Sequence, residues 1–203
     1  MPREASYRRA TKETEIVVSL SLDGTGTGEI ATGIGFFDHM LTAFAKHGLF
    51  DMTLQCRGDL DVDGHHSVED VGICLGTVWA RALGSSEGIN RFGSAFVPMD
   101  DALVRVCLDL SGRPFLDLCC DISADSVGAF DTSLLEEFLR AFSVHGGVTL
   151  HVDVLKGRNA HHIIEAVFKG LGRALREACR ENPRIEGALS TKGTLDSGKD
   201  ECR

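Results

Sequence analysis

The chain has 203 residues, 43% of them hydrophobic, with four prolines and a formal charge of −9 from 21 basic and 30 acidic side chains. That length and apolar content suit one large or two small packed domains and exclude a chain disordered throughout. The acidic balance opposes broad nucleic-acid binding, which needs a surplus of Lys and Arg, and no uncharged apolar run approaches the ~20 residues needed to span a bilayer.

In chain order, "ASYRRAT" allows an extra strand near the start. "ETEIVVSLSLDGTGTGEIATG" alternates apolar and polar residues on either side of a glycine-rich turn, which predicts a hairpin. A dinucleotide-binding loop at Gly24, Gly26 and Gly28 is rejected, because the glycine spacing is wrong and a strand-like stretch follows where that fingerprint needs a helix. "FFDHMLTAFAKHG" predicts a helix with Phe37, Leu41 and Phe44 on one face and Gly48 as its stop. "FDMTLQC" reads as a strand and "HHSVEDVGICLGTVWARALG" as a mostly buried helix.

The second half repeats this order. "ALVRVCLDLSG" and "PFLDLCCDI" are expected to form a hairpin across Gly112 to Pro114, followed by the helix "TSLLEEFLRAFSVHG", the strand "VTLHVDVL" and the long helix "AHHIIEAVFKGLGRALREACR". "HMLTAFAKHG" and "EFLRAFSVHG" match over ten positions, pairing His39 with Glu137 and His47 with His145. The expectation is therefore an α+β protein built by internal duplication. The first unit is placed at 1–92 and the second at 93–186. From 187 to 203 a tail without apolar periodicity would be ordered only by a ligand or a neighbour. The seven cysteines are odd in number and form no regular framework, and no signal-like segment follows the N-terminal "MPREASYRRATKETE", so reduced thiols and a cytoplasmic location are expected.

The chemistry concentrates in two stretches. "VDGHHSVEDVG" places His65 and His66 ahead of Glu69, and ninety-six residues later (161 − 65) "RNAHHIIEAVFKG" repeats the pattern with His161, His162 and Glu165. Residues four apart share a helix face, so His65 with Glu69, and His161 with Glu165, each form a two-ligand clip for one ion. His66 and His162 sit ~100° round their helices and point elsewhere. If the repeats face one another, in one chain or between chains, each clip can meet the other's extra histidine: His161, Glu165 and His66 in one site, His65, Glu69 and His162 in the other. The matched pair His39 and Glu137 would add one ligand to each, with His145 as a rival to Glu137. Imidazole and carboxylate without thiolate favour a borderline ion such as Mn²⁺, Fe²⁺ or Zn²⁺. Cys119 and Cys120, adjacent on a strand, face opposite ways and are poor ligands.

Taken together, "GHHSVEDVG", "NAHHIIEA", "FFDHML", "INRFG", "LDLSGRP" and "STKG" closely resemble the imidazoleglycerol-phosphate dehydratase family over nearly the whole chain. The resemblance implies two repeats of a strand-strand-strand-helix-strand-helix unit, with two four-stranded sheets flanking packed helices. It implies a cage of 24 subunits holding two Mn²⁺ per subunit at subunit contacts, and loss of water from imidazole glycerol phosphate to give imidazole acetol phosphate. With no phosphatase-like module ahead of it, the chain resembles the single-function form. For that reaction a Lewis acid on a ring nitrogen would assist departure of the hydroxyl. By resemblance Glu13 is the proton shuttle.

The same resemblance assigns substrate contacts to His47 and the phosphate to Arg91, Arg113, Lys169 and Lys192 with Ser190 or Thr191, groups whose charge suits a dianion. One departure is Ala43, where a substrate-facing glutamine is often found. Glu137 is another, since some members carry histidine there. The rival readings are a dinuclear metallohydrolase, which would release phosphate from esters, and a metal-storage cage without turnover.

Overall fold

The structure is a computed structural model and describes residues 2–192, so the expectations for 193–203, Cys202 among them, lie outside the described residues. Its first half runs β1 (Glu4–Ala10), β2 (Thr14–Ser21), β3 (Ile30–Ala31), α1 (Gly35–Gly48), β4 (Asp51–Gly58) and α2 (His65–Leu83). The second runs β5 (Phe92–Met99), β6 (Ala102–Asp109), β7 (Phe115–Cys119), a two-stranded excursion β8 (Ser126–Val127) and β9 (Phe130–Asp131), then α3 (Leu134–Gly146), β10 (Thr149–Lys156) and α4 (Ala160–Ala178).

The duplication is visible in the sheets. Their strand orders are β1-β2-β4-β3 and β5-β6-β10-β7, the same path traced twice. In each, the last strand pairs parallel to its neighbour, Ile30 opposite Leu54 and Leu116 opposite Leu150, while the other pairs are antiparallel.

Two expected hairpins are thereby corrected. β2 turns back on β1, and the glycine-rich stretch after it crosses the start of β4 rather than closing on β2. Asp51 holds it there: one carboxylate oxygen accepts from the amides of Thr25 at 2.8 Å and Thr27 at 3.0 Å and from the Thr27 hydroxyl at 2.9 Å. At Gly28 a Cβ would lie 1.7 Å from the Met52 carbonyl oxygen, so no larger residue fits. Likewise β6 and β7 do not pair, because β10 inserts between them. β5 begins at Phe92, the residue expected to close the first unit, and its alternation was not recognised in the sequence.

The four helices lie between the sheets. Period-3.6 apolar spacing buries Phe37, Met40, Leu41 and Phe44 on α1 and Leu135, Phe138, Leu139 and Phe142 on α3. The helices pack crosswise, α1 on α4 and α2 on α3, so each unit completes the other's core. Phe37, Phe138 and Phe168 meet at ring-centroid distances of 5.0 to 6.2 Å, and Trp79 touches both Phe50 and Phe142. Gly48 is the last residue of α1, not the left-handed stop; that conformation falls on Leu49, φ 56°, where the second unit has Gly147, φ 65°.

Cys56, Cys74, Cys107, Cys119, Cys120 and Cys179 are all free thiols. Cys119, the last residue of β7, is exposed, and Cys120, just beyond the strand, is half-buried. No helix among the described residues is long and apolar enough to cross a membrane.

Candidate functional site

Each histidine pair lies in the first turn of a helix, and the residue two places before the first histidine bonds its amide in both units. The Asp63 carboxylate accepts the amide of His65 at 2.7 Å, and the Asn159 side chain accepts those of His161 at 2.9 Å and His162 at 3.4 Å. These bonds occupy amide groups that have no partner inside the helix, fixing both histidines in the first turn.

One turn further on, the expected clips form unequally. On α4, His161 Nε2 lies 3.1 Å from Glu165 Oε2, and α1 brings His39 Nε2 to 3.6 Å from the same oxygen. One ligand atom each from His39, His161 and Glu165 lie within 4.8 Å of one another, the only such cluster of three or more His, Cys, Asp or Glu among the described residues. Phe36 stands edge-on against the His161 ring at 5.1 Å. Glu165 is nearly buried, and its second oxygen accepts from Lys169 Nζ at 2.7 Å. Burial alone would push this carboxyl up; the ammonium of Lys169, with His39 and His161, outweighs it and holds the group below the usual carboxylate range. On α2, His65 and Glu69 are both half-buried and 3.9 Å apart.

His66 and His162 do not join the opposite clip within one chain. Each is instead held by carboxylates of its own unit, the orienting contact often made to metal-binding imidazoles. His66 Nδ1 lies 3.0 Å from Asp59, which raises its pKa, and its Nε2 lies 3.9 Å from Glu13. His162 Nδ1 lies 2.7 Å from Asp101 and its Nε2 3.4 Å from Asp100. His162 and the amides of Arg158 and Asn159 together hold the Asp101 carboxyl well below its usual range. Sequence reasoning missed Asp59, Asp100 and Asp101, which lie in turns where no periodicity marks them. Glu13 immediately precedes β2 as Asp101 precedes β6, so strand register was the available signal.

Glu137 is half-buried on α3 with no hydrogen bond or ion pair among the described residues, whereas Glu136 is exposed and paired with Arg140. His145 is exposed in the last turn of α3. Ala43 is buried.

The basic residues divide into two groups. Arg91, Arg113, Ser190, Thr191 and Lys192 line one open cleft of about 800 Å³, joined by Arg184 and Glu186, which sequence reasoning missed. Arg91 organises it: its guanidinium forks onto Asp109 at 2.7 and 2.9 Å and donates to the Leu189 carbonyl at 2.6 Å, tying the late segment to β6. The Arg91 backbone is left-handed, φ 69°, held by its amide on the Ala178 carbonyl and its carbonyl on the Leu110 amide. Such a conformation costs about 1 kcal/mol or more in a residue with a side chain and persists where surroundings enforce it. Arg113 is exposed, 3.9 Å from Asp109. Lys169 is elsewhere, at Glu165. His47 stands near it, half-buried, its pKa lowered by burial and then by Lys169 and Arg173.

The site can thus bind a divalent cation through imidazole and carboxylate, and an oxyanion through guanidinium and ammonium groups. Comparison with known proteins identifies a family. Residues 32–175 match the family model described as imidazoleglycerol-phosphate dehydratase. Among relatives of that name, one from Thermoanaerobacter pseudethanolicus is 58% identical over 193 residues, covering 95% of this chain and 100% of its own. One from Acetivibrio thermocellus is 54% identical over 195 residues, covering 96% and 100%. Two crystal structures of such enzymes are similar in fold: that from Pyrococcus furiosus with TM-score 0.81, 45% identity and coverage of 93% and 100%, and that from Staphylococcus aureus with TM-score 0.80, 37% identity and coverage of 88% and 99%.

Proposed function

Because the chain belongs to the imidazoleglycerol-phosphate dehydratase family, we infer that it removes water from imidazole glycerol phosphate to give imidazole acetol phosphate in histidine biosynthesis. It is a hydro-lyase. The observation that carries a metal-dependent form of this reaction is the convergence of His39, His161 and Glu165.

This donor set fits a borderline cation: two imidazoles, one carboxylate and no thiolate suit Mn²⁺, with Fe²⁺ or Zn²⁺ as alternatives. Two such ions per subunit are proposed, one held by His39, His161 and Glu165, the other by His65, Glu69 and Glu137. His66 and His162 complete these sets from neighbouring subunits. Their Nδ1 atoms are occupied by Asp59 and Asp101, so Nε2 is the nitrogen each offers. When bound, the metal supplies a Lewis acid for the imidazole ring of the substrate.

The rest is done by the chain's own groups. Glu13, exposed and beside His66, takes the proton from the middle glycerol carbon; the hydroxyl on the ring-side carbon leaves and carries that proton off as water, and the enol's own hydroxyl proton moves to the ring-side carbon to give the ketone. Arg113, Lys192, Ser190 and Thr191, organised by Arg91, hold the phosphate and so orient the glycerol chain. His47 and Lys169 lie apart from that cleft, which favours a phosphate site closed by a second subunit. A homo-oligomer of 24 subunits in the cytoplasm, with sites at the contacts, accords with this division. A metallohydrolase with the same ligands would release phosphate instead.

The test is turnover of imidazole glycerol phosphate before and after exhaustive chelation, following the enolising ketone and inorganic phosphate together. Ketone formation lost on chelation and restored by Mn²⁺, without phosphate release, is expected. Full turnover by protein shown metal-free by elemental analysis refutes the metal-dependent reading.

A further inference from the structure

We infer that Lys169 makes the two metal sites of the proposed function unequal: it neutralises the group at His39, His161 and Glu165, which then binds a divalent cation more weakly than His65, Glu69 and Glu137. The inference rests on the metal-dependent reading above and adds a ranking of its two sites.

Lys169 lies one helical turn beyond Glu165, and its Nζ is 2.7 Å from Glu165 Oε1. The two side chains are only 18% and 8% exposed. The ammonium also donates to Met99 Sδ at 3.4 Å, so it is anchored on β5 as well as on its own helix. An ion pair this enclosed stays formed, because separating it would strand a buried charge. It also orients the carboxylate, leaving Oε2 for the histidines.

The duplication supplies an internal control. The position equivalent to Lys169, ninety-six residues earlier, is Ile73. Glu69, the counterpart of Glu165, is 46% exposed, and its one ion-pair partner among the described residues is His65 at 3.9 Å. Among the described residues nothing there plays the part of Lys169. Where the first group has His39, the second has Glu137. With neutral imidazoles, the first group together with Lys169 carries no net charge, while the second carries two negative charges.

Preorganisation opposes this ranking, since the first group is already converged and the second must order its side chains. Ordering each costs a few-fold in affinity. One unit charge about 6 Å from a dication changes its affinity about tenfold even in the dielectric of water, and more where water is partly excluded. Two charges therefore outweigh two or three ordered side chains, and the second site is expected to be tighter by about tenfold or more.

The experiment titrates metal-freed full-length protein with Mn²⁺, reading the free ion by electron paramagnetic resonance. Two classes of one ion per subunit are expected. His161→Ala should remove the weaker class and spare the tighter. Lys169→Gln keeps a hydrogen-bond donor but no charge, and should tighten the weaker class by about tenfold while leaving the other unchanged. Two equal sites in the unaltered protein, loss of the tighter class in His161→Ala, or an unshifted weaker class in folded Lys169→Gln overturns the inference. If Lys169→Gln fails to fold, the His161→Ala titration decides. Absence of any stoichiometric Mn²⁺ uptake by the unaltered protein would sink the metal-dependent reading itself, a separate outcome.

Discussion

Gly76 and Gly172 stand ninety-six residues apart and meet equivalent partners across the two helix crossings. A Cβ on Gly76 would lie 2.7 Å from the Phe142 carbonyl oxygen and 2.9 Å from the Gly146 nitrogen; one on Gly172 would lie 2.4 Å from the Phe44 carbonyl oxygen and 3.0 Å from the Gly48 nitrogen. Both contacts are with backbone, so neither can be relieved by moving a side chain.

Alanine at either position must separate two helices, and each change is expected to cost about 1 to 3 kcal/mol. Their functional effects should differ. Gly172→Ala parts α1 from α4 and so moves His39 away from His161 and Glu165, lowering metal content and turnover in protein that is still folded. Gly76→Ala acts at α2 and α3 and should leave that group intact while parting Glu137 from His65 and Glu69, so the metal it loses is that of the second site. Chemical denaturation and metal analysis on both variants separate the cases.

Asp51 gives a prediction in acid. Hydrogen bonds from the Thr27 and Thr25 amides, with the threonine hydroxyls, hold its carboxyl down at about 2, against an ordinary value of about 3.9. A depressed carboxylate stabilises the fold above the unfolded value and loses that contribution as pH falls through the folded one. Asp51→Asn should therefore be less stable than the unaltered protein at neutral pH, with the gap narrowing between about pH 4 and pH 2. Urea midpoints across that range measure it; a constant gap would exclude the linkage.

Arg113→Ala and Lys192→Ala should raise KM several-fold with metal content unchanged, since both groups are exposed in the cleft and lie outside the histidine cluster. Arg91→Ala should do more. It strands Asp109, which is only 18% exposed, and frees the Leu189 carbonyl. A loss of about 1 to 3 kcal/mol of stability is expected beside the higher KM. Lost metal with unchanged KM in Arg113→Ala would remove it from the phosphate site.

Protons should compete with metal from above the ordinary histidine range. His66 is raised by its hydrogen bond to Asp59 and then by the charge of Glu13, so it takes up a proton before an unperturbed imidazole would. A ligand must be neutral to bind. In Asp59→Asn the hydrogen bond to a charged partner is gone, and the pH of half-maximal metal release should fall. An unshifted release curve would show that His66 holds no metal.

The helices were legible because their apolar spacing is local, and the duplication because it repeats element order and histidine pairs together. The i,i+4 pairing of His161 with Glu165 followed from the same spacing. What completes that pair did not. Which of the matched pair His39 and Glu137 joins it was open, and the answer rests on α4 packing against α1, a contact between distant segments. The false hairpins have a related cause. A strand next to a glycine-rich turn looks like half of a hairpin whether or not it returns to its neighbour, and β3 and β7 pair in parallel with strands that come later in the chain. The burial of Lys169 against Glu165 likewise has no sign in its sequence neighbours.

The crosswise packing of the helices makes each half of the chain a lock for the other. Cut between α2 and β5, neither fragment could cover its own pair of helices, since α1 rests on α4 and α2 on α3. Fragments expressed apart should aggregate, whereas fragments expressed together should recombine as an obligate heterodimer. A gene encoding one such unit would yield a protein only as a symmetric pair of identical chains, whereas in the fused chain the two halves can differ, as Lys169 does from Ile73.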